Sequence, residues 1–174
     1  MKGKVLDDEI FSDKIQDVID KIKAIALVHE KLYETESLSD VDFKSYILDI
    51  VRHLLISHSA TNSLKTEFDV DDIILPIEKA VPCGILINEI ITIILKYVFP
   101  APKEGFIHIS LKKTESDRCL LLIEDNGDKT DLNYQHPDHL FGMQLIHILS
   151  EQLKGNLKIH SSTSGTKYSL LLDI

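Results

Sequence analysis

The chain has little of several things, and each shortage narrows what it can be. Cysteine is scarce: Cys83 and Cys119 stand alone in apolar surroundings. They lack the paired spacing of a disulfide framework or a zinc site, which fits core packing in a reducing cytoplasm. Positive charge is also short, with 19 Lys and Arg against 28 Asp and Glu and a net charge of -9. A general nucleic-acid or anionic-membrane binder wants clustered Lys and Arg, so the expected partners are proteins or small molecules. No apolar run reaches the roughly 20 residues needed to span a bilayer. The longest, within residues 84 to 95, is interrupted by Asn88, Glu89 and Thr92. Met1 does not lead into a signal peptide. These features predict a cytoplasmic chain with no membrane insertion, any membrane sensor lying outside it. There is no internal repeat. What is present, 174 residues at 44% hydrophobic content, suffices for one ordinary domain with a helical extension.

From Asp8 to about Tyr33 the positions Phe11, Ile15, Val18, Ile22, Ile25 and Leu32 step by four and three, with His29 completing the register. This is a heptad seam. A helix of about 26 residues makes a rod of roughly 39 Å, too narrowly apolar to stand alone in water. Homodimerisation through Phe11, Ile15, Val18, Ile22 and Ile25 is the first expectation, the alternatives being a helix of another protein or a segment outside the given sequence. After a break at 34–38, Ser39 or Asp40 is a candidate cap for a second helix. Its apolar face is Phe43, Tyr46, Ile47, Ile50, Val51, Leu54 and Leu55. Short strands are predicted at Lys65–Val70 and Ile73–Leu75, with Pro82 in the first turn of a central helix that Pro100 and Pro102 end. Further on, Phe106–Leu111 and Cys119–Glu124 read as a hairpin. A helix follows near Phe141–Leu153, then strands near Leu157–His160 and Thr166–Leu172. Mixed helices and strands without strict alternation predict an α+β sandwich, a mostly antiparallel sheet with helices on one face. The division expected is a dimerisation-type helix over 1–36 and a globular domain over 37–174.

Residues 84–100 form an apolar helix on which Asn88, Glu89, Thr92 and Lys96 recur at intervals of three and four, and so share one side. That pattern fits a site-bearing helix or a core helix with one solvated stripe. Around it, Ala26-Leu-Val-His-Glu-Lys-Leu-Tyr33, Asp42-Phe43 with Tyr46-Ile47, Val81-Pro-Cys-Gly-Ile-Leu-Ile-Asn-Glu89 and Leu95-Lys-Tyr-Val-Phe-Pro100 resemble successive blocks of one subfamily of sensor histidine kinases. Ile123-Glu-Asp-Asn-Gly127, Phe141-Gly-Met-Gln-Leu-Ile146, Glu151-Gln-Leu-Lys-Gly155 and Gly165-Thr166 look like the nucleotide-pocket blocks of that family. Its ATP-binding fold is shared with the GHKL superfamily.

The resemblance implies a Glu that assists phosphoryl transfer and, four residues on, an Asn that ligates Mg²⁺. Glu89 is in place, but the metal-ligand position holds Ile93, which offers no oxygen to a hard cation. It further implies nucleotide contacts, weak or vestigial here, from Asn88, Lys96, Asp125, Gly127, Gly142 and Thr166. Asp125 would accept the adenine amino group, with Gly127 keeping the backbone close to the base and Gly142 opening a helix toward the phosphates. Asp125-Asn126-Gly127 equally reads as a turn, and Gly165-Thr166 as a strand start. Lys129 stands where the family has a second glycine at the start of the lid. The family's phosphoacceptor histidine lies on a helix preceding the one that carries His29, and the present sequence begins after that point. His29 itself reads as a packed seam histidine, and His136 and His139 as solvated lid histidines rather than metal ligands.

Two functions follow. One is a degenerate, non-catalytic regulator or interaction module of two-component signalling, with impaired Mg-ATP binding, no cofactor, and a response regulator or kinase as partner. The alternative is the ATP-binding domain of an active sensor kinase, with ATP and Mg²⁺ as cofactors.

Overall fold

The computed structural model describes residues 2–34, 39–60, 63–100, 104–114, 117–127 and 137–173, without the side chains of 2–10, 13, 33, 34, 137 and 138. The first helix, α1, spans Lys2–Glu34, 33 residues and longer than the heptad pattern alone predicts. Strand β1 (Asp40–Asp42) leads into α2 (Phe43–Ser57). The cap of α2 is neither Ser39 nor Asp40. Asp40 pairs with Pro76 in a two-stranded antiparallel sheet between β1 and β3 (Ile74–Pro76). Asp42 caps instead, its Oδ1 accepting the Ser45 N–H at 3.2 Å and satisfying one of the helix's orphan donors. All seven apolar residues predicted for this helix are buried.

The main sheet has five strands in the order β2-β4-β5-β7-β6. They are β2 (Leu64–Val70), β4 (Gly105–Thr114), β5 (Arg118–Asp125), β6 (Asn156–Ser162) and β7 (Gly165–Asp173). Only β2 runs parallel to its neighbour, β4; the other pairings are antiparallel. Alternation along the strands sends Ile107, Ile109, Leu111, Leu121, Ile123, Tyr168 and Leu170 inward and leaves Lys65, Glu67, Asp69 and Leu120 outward, as a half-covered antiparallel sheet requires. The α+β expectation is met.

The central helix, α3 (Ile77–Ile93), starts seven residues before the predicted segment, so Pro82 lies inside it rather than in its first turn. Pro76 is its cap residue and the Ile77 N–H is satisfied by Ser39 O at 2.9 Å. It continues into a five-residue π-helical turn, Ile94–Val98, closed by Phe99 N–H donating to Ile94 O at 2.9 Å. Together Ile77–Val98 is a 22-residue helix apolar and long enough to cross a membrane, contrary to the shorter run read from the sequence, but 78% of its most apolar window is buried within the protein. From Leu86 to Leu95 every residue is buried, the mark of a helix enclosed on all sides. Helix α4 (Pro137–Gln152) packs against α3.

α1 is not a free arm. Ala24, Val28 and Leu32 belong to the same hydrophobic core as α2, α3 and the sheet, and α1 packs on α3 and α2. The seam faces the other way, with Phe11 66%, Ile22 59% and Val18 55% exposed and Ile15 and Ile25 exposed as well. Leu32, assigned to the seam by spacing, is buried in the core instead. At the crossing of α1, α2 and α3, the Tyr46 hydroxyl donates to Ala24 O at 2.7 Å, and a Cβ added at Gly84 would collide with the same phenol ring. Gly84→Ala is therefore expected to cost about 1–3 kcal/mol through overpacking, read as a lowered midpoint in urea unfolding. An unchanged midpoint would contradict this crossing.

Candidate functional site

The polar residues of α3 divide between two neighbours. Glu89, Thr92, Ile93 and Lys96 line a cleft of about 190 Å³, completed by Lys14, Asp17, Val18 and Lys21 of α1, Tyr97 of the π turn, and Phe141 and Gly142 of α4. Asn88 is not among them. Its amide donates to Asp20 O at 3.3 Å, tying α3 to the α1 backbone. Gly142 sits at the sixth position of α4, not at its opening, because the helix begins at Pro137. There α4 rests on α3: a Cβ at Gly142 would lie 3.3 Å from Ile93 Cδ1 and 3.5 Å from Glu89 Oε2.

Two ion pairs cross the cleft between α1 and α3. Lys21 Nζ lies 2.9 Å from Glu89 Oε1, and Lys96 Nζ lies 2.6 Å from Asp17 Oδ1. Glu89 is only 4% exposed. Burial pushes its pKa above the ordinary carboxylate value, against the pull of Lys21 and Lys96 and with a small push from Asp17. A buried carboxyl held near a proton donor is suited to proton transfer. It is poorly suited to holding a cation that its own lysine already occupies. Ile93, 3% exposed, contributes no oxygen. Among the described residues no group of three or more His, Cys, Asp or Glu side chains is placed to hold a metal ion. Among the described residues, each carboxylate that lines the cleft is already paired with a lysine.

The second cluster lies at the end of β5. Asp125 Oδ1 accepts the N–H of Gly127 at 2.9 Å and of Thr166 at 3.4 Å. The first contact is an Asx-type turn, so the turn reading is correct as local geometry. Oδ2 is buried with no hydrogen-bond partner among the described residues, and burial raises the pKa of the carboxyl. One oxygen makes the turn, which leaves the other able to accept an outside N–H donor. Residue 127 must be glycine here because Val98, last in the π turn, fills the space a Cβ would need. Gly165 opens β7 at φ +128, a glycine conformation, and presents Thr166 to Asp125. Glu89, Lys96 and Gly142 thus share the cleft, Asp125, Gly127 and Thr166 share the second cluster, and Asn88 joins neither.

Two histidine expectations change. His139 is 4% exposed in the first turn of α4, its ring 5.3 Å from that of Tyr97 and edge-on to it, not solvated. His29 is exposed on α1, as a seam position is in a single chain. Lys129, His136 and residues 128–136 of the lid lie outside the described residues.

The sequence reading missed α1 as a wall of the site. Asp17, Asp20, Lys21 and Ala24 form a stripe beside the apolar seam, and its charges hid it. Asp20 is fully buried. Its Oδ1 accepts from Gln16 at 2.9 Å and lies 3.1 Å from His53 Nε2, while Oδ2 lies 3.4 Å from His58 Nε2 and from the Ser57 hydroxyl. Burial alone would raise its pKa, but the bonds from His58, Gln16 and His53 hold it down to about 2. The carboxylate clamps α1 to α2 and so sets the position of Asp17 and Lys21.

With a folded pKa below the unfolded value of 3.8, the Asp20 contribution is fully present above about pH 4 and is lost as pH falls through about 2. The shift amounts to about 2 kcal/mol. Asp20→Asn should lower stability by about that much at pH 7, with the gap to wild type closing between pH 4 and pH 2 in urea titrations. A gap that stays constant with pH would contradict the clamp.

Residues 1–58 match the sequence profile of the HisKA_2 family, described as histidine kinase. No curated protein matches the chain. Among solved structures, the histidine kinase domain of the Erythrobacter litoralis EL346 blue-light activated histidine kinase superposes with a TM-score of 0.76 at 16% identity, covering 90% of this chain and 74% of that one. Against the longer EL346 structure the chain spans 52% of its length. The Acinetobacter baumannii histidine kinase AdeS is similar at a TM-score of 0.62 and 19% identity, covering 99% and 82%. The mycobacterial sensor histidine kinase MprB is similar at a TM-score of 0.62 and 15% identity, covering 77% and 95%. At these identities the likeness is one of fold: the chain has the architecture of histidine kinase catalytic domains.

Proposed function

We propose that the chain is a histidine-kinase-like two-component signalling protein that acts as a non-catalytic regulator or interaction module with impaired Mg-ATP binding. The observation that carries this reading is Ile93, an aliphatic residue lining the cleft beside Glu89 where the resembling family needs a metal-binding amide. Phosphoryl transfer depends on cations that neutralise the developing charge, and Ile93 supplies none of that. The family match of residues 1–58 and the shared fold support the signalling context. The exposed apolar seam of α1 supports self-association, with a response regulator or a kinase as further partner, in the cytoplasm. A second reading, the ATP-binding domain of an active kinase, draws on Asp125, whose buried Oδ2 lacks a hydrogen-bond partner among the described residues and suits an adenine amino group.

Calorimetric titration with ATP separates the two. Little or no Mg²⁺-dependent heat is expected from the wild type, whereas Ile93→Asn should strengthen Mg-ATP binding by about tenfold or more, equivalent to about 1.4 kcal/mol. Metal-dependent micromolar binding by the wild type would defeat the non-catalytic reading. For the seam, sedimentation should reveal concentration-dependent self-association that Ile22→Asp weakens by at least about tenfold. A monomer at every concentration would remove the dimer from the proposal.

A further inference from the structure

The outer face of the sheet, opposite the helices, carries a pocket lined by strand residues and by the turn after β5. Phe106 and His108 stand two residues apart on β4 and so share that face, their rings tilted only 9° from parallel with centroids 6.5 Å apart. With Glu67 of β2, Glu124 of β5 and Asn126 they line an open depression of about 430 Å³. We propose that this depression docks a protein partner through an arginine side chain, its guanidinium stacked on Phe106 and His108 and paired with Glu67.

The lining charges decide the sign of the ligand. Glu124 is taken: Lys167 Nζ lies 2.8 Å from its Oε1 and His108 Nδ1 lies 3.3 Å from its Oε2. Glu67, exposed and directly across from His108 in the strand register, has no hydrogen bond or ion pair among the described residues. One carboxylate is left for an incoming cation, and the lining holds no Lys or Arg to receive an anion. Two flat rings favour a flat cation. Guanidinium is planar and weakly hydrated, and it stacks on aromatic faces while its fork of donors reaches a carboxylate, which a compact ammonium does not do. A nucleic-acid base would also stack, but its phosphates would face Glu67 and Glu124 in a chain of net charge -9. The space falls within the roughly 300–1,000 Å³ typical of ligand sites, room for the arginine head and the groups beside it. One stacked, ion-paired arginine at an exposed site binds weakly, so it serves as an anchor within a broader contact. The pocket also has a path to the interior. Asn126 Oδ1 accepts the Phe106 N–H at 2.8 Å, and the Asn126 N–H donates to Phe106 O at 3.3 Å, so the strand that bears the rings holds the turn from Asp125 to Gly127. A partner seated on Phe106 therefore bears on the Asp125 cluster from behind.

The test is NMR titration of the full chain with N-acetyl-argininamide, which presents an arginine side chain as a protein does. The Phe106 and His108 ring signals should shift and saturate in the millimolar range, with Glu67→Gln and Phe106→Leu each weakening binding at least about threefold. N-acetyl-lysinamide should bind at least about threefold more weakly than the arginine probe. Ring signals that do not move up to about 100 mM probe would overturn the proposal and leave the non-catalytic reading intact. Equal binding of the two probes would overturn it as well. So would an unchanged affinity in Glu67→Gln, an exposed position that decides the matter should Phe106→Leu fail to fold. Free arginine binding at least about tenfold more tightly than the capped probe would assign the pocket to an amino acid and overturn the protein partner. Ring signals that shift with protein concentration alone, and no longer do so in Arg118→Gln, would make a second copy of the chain the occupant and overturn it too.

Discussion

Everything near the candidate site depends on how α1 is held against α2 and α3. The contact has a small apolar part, Ala24, Val28 and Leu32, and a large polar one. Asp20 is the centre of the polar part, a fully buried carboxylate whose oxygens are met by Gln16, His53, Ser57 and His58. A charge buried in that way costs several kcal/mol unless it is matched. Matching it ties α1 to the C-terminal end of α2, where Asp20 meets His53, Ser57 and His58 together. With α1 held there, Asp17 and Lys21 fall opposite Lys96 and Glu89. The cleft is therefore a product of α1 docking as much as of α3.

The π turn makes the second contribution. Five residues wound with i to i−5 bonds shift the phase of the helix at its C-terminal end, a device often found at functional sites. It directs Lys96 and Tyr97 to the cleft, where Tyr97 meets His139 of α4, and it sends Val98 against Gly127 beside Asp125. The two clusters are thus joined mechanically through one turn. The cleft has paired charges across its walls, Lys21 with Glu89 and Lys96 with Asp17, and the aliphatic Ile93 beside Glu89.

Much of this was legible in the chain. The apolar face of α2 was read residue for residue, because amphipathic period in a helix of ordinary length is a strong signal. The strands of the antiparallel sheet were placed to within a few residues. The family resemblance led to Glu89, Ile93, Lys96 and Asp125. Errors gathered where local signals compete with tertiary contacts. Ser39 and Asp40 are good caps by composition, yet strand pairing with Ile74–Pro76 drew Asp40 into a sheet and moved the cap to Asp42. Pro82 looked like a helix start, but core burial from Ala80 onward carried the helix past it. His139 looked solvated until Tyr97 covered it.

The sequence by itself determined the α+β class, the buried central helix and the presence of an aliphatic side chain at position 93, because periodicity and residue chemistry are local properties. Tertiary structure alone decided which face of α1 is inside. Both stripes of that helix have credible spacing, one apolar through Phe11 and Ile22, the other charged through Asp17, Asp20 and Lys21. Period does not choose between them. The choice falls to groups distant in sequence: His53 of α2 and His58 at its C-cap, which meet Asp20, Lys96 of the π turn, which meets Asp17, and Glu89, which meets Lys21.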